Sequence, residues 1–379
     1  PDDAPPIATP RQTGKARPTG TPSKPVRVLL TSLGAVIAGI ALLVVLGSND
    51  SDQSSSTKED VKRPASVSVE GLAIDQCGTE LPADINQGTN RDAIAERAFQ
   101  IVQAKYRQSS SSVPRFSLVM SPNVPAVWED DIEAYLINSN GFWACELLPN
   151  EPATVSFAHW EDKEWLVNQL LETPNYATRA EAEAQADSDT WLGLAVKSYL
   201  FLRPPQEWTR IKDFGDITAH EWFHHVQVSL EGYMPADLPC WWDEGHATYL
   251  GAAVDAVGIT KLQTFERFKR ARKLLVYGWS TDQASSRSAK DWRQWLEGQE
   301  PGEALWTFCE DDLDVYAAGL LASEYLIGQY GLDAVTRIHG EFKYSVDWET
   351  RVSTVYGKSP DALNREIAEY LRSFASIFP

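Results

Sequence analysis

Positive charge is scarce in this sequence. The 34 lysines and arginines are outnumbered by 53 aspartates and glutamates, which gives a formal net charge of −19 over 379 residues. A protein that binds nucleic acid needs a basic face to displace counterions from the phosphates, so this balance disfavours nucleic acid as a partner. The solvated acidic surface that it predicts is typical of secreted proteins.

Histidine is also rare, with six in the whole chain, yet two of them lie four residues apart in the segment HEWFH at 220–224. Residues four apart share one face of a helix, so His220 and His224 can hold one Zn²⁺ while Glu221 reaches the water bound to it. A catalytic zinc takes three protein ligands, and Glu244 follows twenty residues after His224, which fits one helix, a turn and the start of the next helix. The sequence therefore predicts one Zn²⁺ per chain, with Glu221 as the general base.

The sequence around these residues resembles the gluzincin metallopeptidases. These are the thermolysin-like zinc peptidases of clan MA, with HExxH on one helix and a glutamate ligand on the next. Trp241, Glu244, Gly245 and Ala247 also match the W-x-x-E-G-x-A pattern of the M1 aminopeptidase branch. The resemblance is specific over residues 216–251 and looser over 312–335. It implies an α+β fold of the thermolysin type, with a small mixed α/β N-terminal lobe, a mainly helical C-terminal lobe, and zinc at their junction.

Three further residues are candidates for the site. In M1-like enzymes, the residue four past the glutamate ligand often supports a zinc-bound histidine by a hydrogen bond, and Thr248 holds that place here. Tyr316 is similar to the tyrosine that steadies the oxyanion in those enzymes, although a ring packed in the core is the alternative. His246 can face the cleft as a donor to the substrate or oxyanion. The other three histidines are expected outside the metal site. His159 and His339 are expected to be structural. His225 is expected either on the surface or behind the ligands.

One motif of the M1 aminopeptidases is absent. Those enzymes carry a G-x-M-E-N strand whose glutamate grips the free amine of the substrate, whereas the only methionines here are Met120 and Met234. The segment in the corresponding place, 191–203, is predicted to be an apolar strand without an acid, which can pair with an extended peptide through backbone hydrogen bonds. An endopeptidase is therefore expected rather than an aminopeptidase.

Residues 28–46 form an uncharged apolar run, which as a helix of about 28 Å matches the core of a bilayer. Lysines and arginines precede the run, whereas serine, asparagine and aspartate follow it. The positive-inside rule therefore predicts a single-pass cell-membrane protein with a cytoplasmic N-terminus and an extracytoplasmic catalytic domain. A cleaved signal peptide is the alternative, although no A-x-A-like site follows the run. The predicted organisation is a disordered tail (1–27), a transmembrane helix (28–47), a flexible linker (48–70), the N-terminal lobe (71–212) and the helical catalytic lobe (213–379).

The chain has four cysteines, and on this topology all of them lie in an oxidising compartment. An even count there favours two disulfides, with four buried thiols as the alternative. We expect Cys240 to pair with Cys309 and Cys77 with Cys145. The first bridge would tie the helix with the glutamate ligand to the segment before Tyr316.

The spacing of apolar residues predicts a mixed first part and a nearly all-helical second part. Strands are predicted at 115–120, 153–158 and 195–202, with helices at 91–107, 127–138 and 161–172. From residue 213 on, helices are predicted at 214–230, 240–256, 260–276, 313–329, 332–342 and 360–375.

Two other functions fit the same residues. A zinc hydrolase of a non-peptide amide, for example in cell-wall material, would use the same metal and base. A catalytically inactive binding or scaffold protein with this fold would have no need of Glu221, and a purely structural zinc would prefer a closed site of four ligands. A peptide or protein substrate is the partner that the motifs favour.

Overall fold

The computed structural model of the chain describes residues 85–108, 115–143, 152–187, 193–204, 206, 211, 214–231, 238–259, 264–278, 280–281, 283–299, 314–341 and 347–378. All of them belong to one compact unit within residues 65–379. The predicted tail, transmembrane helix and linker lie outside the described residues, as do Cys77, Cys145 and Cys309. Within the described ranges, no helix combines the length and apolar character that crossing a membrane requires.

The described part of the chain is mostly helical, with one small mixed sheet. In chain order, its helices and strands are α1 (Arg91–Gln108), β1 (Phe116–Met120), α2 (Ala126–Trp143), β2 (Ala153–Phe157), α3 (Lys163–Leu171), α4 (Arg179–Asp187), β3 (Gly193–Val196), β4 (Tyr199–Leu202), α5 (Gly215–Glu231), α6 (Cys240–Gly258), α7 (Phe265–Gly278), α8 (Ala289–Gly298), α9 (Asp314–Tyr330), α10 (Leu332–Gly340), α11 (Trp348–Tyr356) and α12 (Pro360–Arg372). Short 3₁₀ turns lie at Ala284–Ser286 and Ala375–Ile377.

The four strands form one sheet in the order β1-β2-β4-β3. β1, β2 and β4 run parallel, and β3 pairs antiparallel with β4 as the other arm of a hairpin. The single strand predicted at 195–202 is therefore wrong, because Lys197 and Ser198 turn the chain in the middle of this apolar run. Lys197 has a φ of 54°, and its carbonyl accepts a hydrogen bond of 2.7 Å from Nδ1 of His225. A tertiary contact thus supports a backbone conformation that lysine rarely adopts, at a turn that no glycine marks.

The two faces of the sheet pack against different helices. Alternate side chains of a strand point to opposite faces, and Val155, Leu200 and Leu202 point into the main core with residues of α1, α2, α5, α6 and α9. On the opposite face, Phe201 belongs to a smaller cluster with residues of α3 and α4. The sheet therefore lies between the α3–α4 pair and the helices that carry the predicted site.

Glycines let α5, α6 and α9 approach each other closely. A Cβ added to Gly245 on α6 would lie 2.4 Å from the carbonyl carbon of Gly319 on α9. A Cβ added to Gly251 on α6 would lie 2.5 Å from the carbonyl oxygen of Asp216 and 3.1 Å from Cβ of His220, both on α5. Because any side chain at these glycines would push the helices apart, the three helices of the predicted site pack at backbone contact.

Most of the predicted helices and strands are confirmed, with shifted ends. The helices predicted at 91–107, 214–230, 240–256 and 313–329 correspond to α1, α5, α6 and α9, and the first two predicted strands correspond to β1 and β2. Helices α4, α8 and α11 have no counterpart among the predicted elements, and capping side chains mark the start of two of them, Ser288 before α8 and Asp347 before α11. The main core contains residues of both predicted lobes, and the two-lobed thermolysin-like fold stays a prediction.

Candidate metal centre

Two adjacent helices bring the three predicted metal ligands together. His220 and His224 lie one turn apart on α5, and Glu244 lies near the start of α6. Nε2 of His220 is 3.0 Å from Nε2 of His224 and 3.2 Å from Oε2 of Glu244. Nε2 of His224 is 3.5 Å from the same oxygen. Among the described residues, this is the one group of three or more His, Cys, Asp or Glu side chains whose donor atoms can hold a metal ion.

The spacing of the donor atoms fits zinc. A tetrahedral Zn²⁺ with bonds of about 2.0–2.1 Å needs donor atoms about 3.3–3.4 Å apart. The separations of 3.0, 3.2 and 3.5 Å form a triangle of that size. Two imidazole nitrogens and one carboxylate oxygen are also a donor set of catalytic zinc sites, which leave the fourth corner open.

The hydroxyl of Thr248 faces the second nitrogen of His220. Thr248 Oγ1 donates its hydrogen to the backbone carbonyl of Glu244 at 2.7 Å, so it can only accept from Nδ1 of His220, 3.4 Å away. A proton on Nδ1 leaves the lone pair of Nε2 free for a metal. Thr248 therefore lies beside the histidine that it is predicted to support, and its effect on a bound metal stays a prediction.

Gln227 accepts a hydrogen bond from Nδ1 of His224, as Thr248 can accept one from Nδ1 of His220. Nδ1 of His224 lies 2.6 Å from Oε1 of Gln227, and an amide oxygen only accepts, so the proton is on Nδ1. The orientation of the amide follows from its nitrogen, which donates to the backbone carbonyl of Asp243 at 3.3 Å. Partners behind both imidazoles therefore turn the two Nε2 atoms toward Glu244.

In the absence of a metal, the negative charge at the cluster attracts a proton. Burial alone lowers the pKa of His224, but the charge of Glu244 and the hydrogen bond to it, followed by the charges of Asp243 and Glu221, raise that pKa to about 10. Burial acts to raise the pKa of Glu244, but the charge of His224 and the hydrogen bonds from both histidines outweigh it and hold this pKa well below its usual range. The carboxylate is therefore ionised, and the site favours a cation, either a proton or a metal ion.

Glu221 lies beside the triangle, on α5 between the two histidines. The residue is 6% exposed, and its Oε1 is 4.0 Å from Nε2 of His220. Burial raises the pKa of Glu221 above its usual value; the histidines oppose this shift and Glu244 adds to it. A raised pKa makes the carboxylate a better proton acceptor near neutral pH, as general-base catalysis requires.

The start of β3 leaves room for the Glu221 carboxyl only because residue 193 is glycine. A Cβ added to Gly193 would lie 2.3 Å from Cγ, 2.4 Å from Oε1 and 2.5 Å from Cδ of Glu221. Any other residue at this position would therefore displace the carboxyl or the strand.

Tyr316 lies on α9 beside the same cluster. Its ring centroid is 6.4 Å from that of His220, with an angle of 31° between the rings, and the residue is partly exposed. Asp314 anchors the start of α9, because its carboxylate accepts hydrogen bonds from the backbone N–H and the hydroxyl of Thr281 at 2.7 and 2.9 Å. The proximity of Tyr316 to a ligand histidine favours a role at the site over a ring packed in the core.

His246 does not join the cluster. It is fully buried, with its ring centroid 5.2 Å from Trp242, 5.8 Å from His339 and 6.5 Å from Phe223. In the described part of the chain, neither ring nitrogen of His246 has a hydrogen-bond partner. A ring without exposed surface does not meet a substrate that enters from solvent, so the geometry does not support the predicted contact.

Sequence reasoning missed three residues around the cluster, Gly193, Gln227 and Glu231, and it expected His339 to be structural without placing it near the cluster. Gln227 had a local signal, since a residue three positions after a ligand on the same helix lies next to it. His339, which lies 3.5 Å from Gln227, had none, because 112 positions separate the two residues. Of the two positions expected for His225, on the surface or behind the ligands, the surface position is wrong, since this residue is 2% exposed.

Cys240, the first residue of α6, is buried. Its predicted partner Cys309 lies outside the described residues, so the pairing stays a prediction. A disulfide at this position would restrain the end of the helix that carries Glu244.

The resemblance to the gluzincins rests on the motif residues, of which His220, Glu221, His224 and Glu244 lie together in space. Comparisons of the chain with protein-family models, with curated proteins and with solved structures find no match in any of the three.

Proposed function

We propose that this protein is a zinc-dependent metallopeptidase of the gluzincin type, anchored in the cell membrane by its N-terminal segment with the catalytic domain outside the cytoplasm. The observation that carries the proposal is the triangle of donor atoms from His220, His224 and Glu244 with the carboxyl of Glu221 beside it. A structural zinc would prefer a fourth protein ligand and would have no use for a buried base. Three ligands and a base are the composition of a hydrolytic site.

The chemistry follows from what each side chain can do. When bound, Zn²⁺ supplies a Lewis acid that polarises a carbonyl and makes water more acidic. Glu221 accepts the proton of the attacking water on its carboxylate and later delivers it to the nitrogen of the leaving amine. Tyr316 donates its hydroxyl hydrogen to the carbonyl oxygen as negative charge develops there. The net reaction is hydrolysis of an amide bond.

An extended peptide is the substrate that the sheet favours. Within the described sheet, β3 is an edge strand that pairs with β4 alone, so its other edge can add a peptide through backbone hydrogen bonds. Such a peptide would run beside Glu221, because the start of β3 contacts that carboxyl at Gly193. β3 has the sequence GLAV, without an acid to bind a free amine, which favours an endopeptidase over an aminopeptidase.

Metal analysis and a peptide-library digest with the purified full chain test this proposal. We expect one zinc per chain, cleavage within peptides, and loss of both in Glu244→Ala. Glu133→Ala removes an exposed carboxylate from α2 and is the matched control, which should keep zinc and cleavage. Full zinc content in Glu244→Ala would show that a different residue completes the site.

The same experiment separates the alternatives. Zinc binding without peptide cleavage, but with hydrolysis of amides in cell-wall material, would identify a zinc hydrolase of non-peptide substrates. Zinc binding without hydrolysis of either would identify an inactive binding or scaffold protein. The buried Glu221 with its raised pKa favours an enzyme, because a scaffold has no use for a base.

A further inference from the structure

A line of buried polar side chains leads away from the metal site behind His224. Gln227 is 2% exposed and His339 is 0% exposed, and the side chain of Glu231 is 2% exposed. His224, Gln227 and Glu231 follow each other at intervals of three and four residues on one face of α5, and His339 reaches them from α10. Buried polar groups are costly unless they are hydrogen-bonded, so the partners of these four side chains indicate why they are there.

The hydrogen bonds along this line all run in one direction. A carboxylate only accepts, so Nδ1 of His339 donates to Oε1 of Glu231. Burial lowers the pKa of His339 to about 4, so the ring is neutral at pH 7 and its Nε2 accepts. Nε2 of Gln227 donates to this nitrogen at 3.5 Å, and Oε1 of Gln227 accepts from Nδ1 of His224 at 2.6 Å. Each group thus fixes the proton position of the next, from Glu231 to the ligand.

We propose that Glu231, His339 and Gln227 form a relay that holds His224 with its proton on Nδ1 and its Nε2 lone pair directed at the metal. The effect on a metal rests on the proposed zinc function, whereas the hydrogen bonds of the relay do not. All three are positioning residues, because they act through His224 and touch neither metal nor substrate. Within the described ranges, the group behind Nδ1 of His220 is the hydroxyl of Thr248.

The first test measures zinc affinity by competition with a chelator, using the full chain. Gln227→Leu removes the acceptor from His224, and we expect zinc affinity to fall by about 10-fold to 100-fold, as for other groups that orient a metal ligand. Gln169→Leu is the matched control, because it removes a partly buried amide on α3 that is bonded to Ser156 and lies away from the site. It should bind zinc as the wild type does.

Further variants separate a positioning role from a fault in folding. Gln227→Asn keeps an amide but is too short to reach Nδ1 of His224, so it should lose affinity in the same way even if Gln227→Leu does not fold. Glu231→Gln keeps the shape at the far end and removes the charge, and an intermediate loss is expected. Zinc affinity within about twofold of wild type in folded Gln227→Leu or Gln227→Asn would overturn the relay as a positioning device.

The second test needs no metal. In the metal-free protein, ¹H–¹⁵N spectra of labelled histidines should show a slowly exchanging proton on Nδ1 of His224, which disappears in Gln227→Leu and persists in Gln169→Leu. Absence of this proton in the wild type, or its persistence in Gln227→Leu, would overturn the relay. If the wild type shows the proton but binds no zinc, the proposed function fails and the hydrogen-bond relay stands.

Discussion

The two sides of the metal cluster differ in what surrounds them. On the outer side, the side chains of His220 and Glu244 are 15% and 20% exposed, and Tyr316 lies nearby. On the inner side, the side chain of His224 is 9% exposed and is backed by the buried Gln227. The outer side can meet a substrate, whereas the inner side can only orient a ligand. We therefore expect changes beside the ligands, at Glu221 or Tyr316, to slow turnover with zinc retained, and changes behind His224 to weaken zinc binding.

The largest effect is expected for Glu221→Gln, at the proposed general base. This change removes the proton acceptor and preserves the shape of the side chain, so kcat should fall by about 10²-fold to 10⁴-fold. Zinc content and the melting temperature should stay as in the wild type. Peptide-cleavage rates measured together with metal analysis check this, and a kcat within a few fold of wild type would refute the general-base role.

Tyr316→Phe should have the next largest effect. Loss of one hydrogen-bond donor to the oxyanion costs about 10²-fold in kcat, and KM should change little because the donor acts mainly in the transition state. Steady-state kinetics on one peptide substrate give both constants. If kcat stays near normal, Tyr316 belongs to the packing of α9 and not to the outer side of the site.

The pH dependence of zinc affinity tests the protonation of the ligand His224. The pKa of His224 is raised to about 10 without metal, so at any lower pH a zinc ion must displace a proton from this ring. Protonation is more complete at lower pH, and apparent zinc affinity should therefore rise about tenfold per pH unit between about pH 6.5 and 9. Chelator competition, corrected for protonation of the chelator, measures the slope. A plateau above about pH 7.5 would instead indicate an ordinary histidine pKa near 6.5.

The smallest effect is expected for His246→Leu, on the inner side but outside the relay. In the described part of the chain, neither nitrogen of His246 has a partner, so an apolar side chain of similar size should leave zinc affinity and kcat within about twofold of wild type. The free energy of unfolding should be unchanged or higher, since the buried unpaired nitrogens are gone. Denaturant titration and kinetics check both. A hundredfold loss of kcat would restore the predicted contact of His246 with the substrate.

Sequence reasoning succeeded where the pattern is local. The spacing of His220 and His224 on one helical face, and the distance to Glu244, predicted the cluster that α5 and α6 form. The helices α1, α5, α6 and α9 were predicted because their apolar residues recur at helical spacing over four or more turns. Short elements with capped ends, such as α8 and α11, carry less of this pattern.

Sequence reasoning failed where a conformation depends on a partner that is distant in the sequence. The turn at Lys197 is supported by His225, and the apolar run around it gave no turn signal. The steric role of Gly193 appears only when β3 lies against Glu221. His246 was expected at the site from its position two residues after Glu244, but helical geometry turns its ring toward Trp242 and His339 instead.

The sequence by itself determined which side chains can bind a metal, because the pitch of an α-helix fixes how residues four apart face each other, whatever surrounds them. Only the tertiary structure decided how those ligands are oriented. The contact of Gln227 with His339 joins residues 112 positions apart, and the approach of α6 to α9 depends on two glycines meeting at Gly245 and Gly319. These contacts form because the helices bury a shared core between them. The local sequence pattern of one helix does not encode how it packs against another.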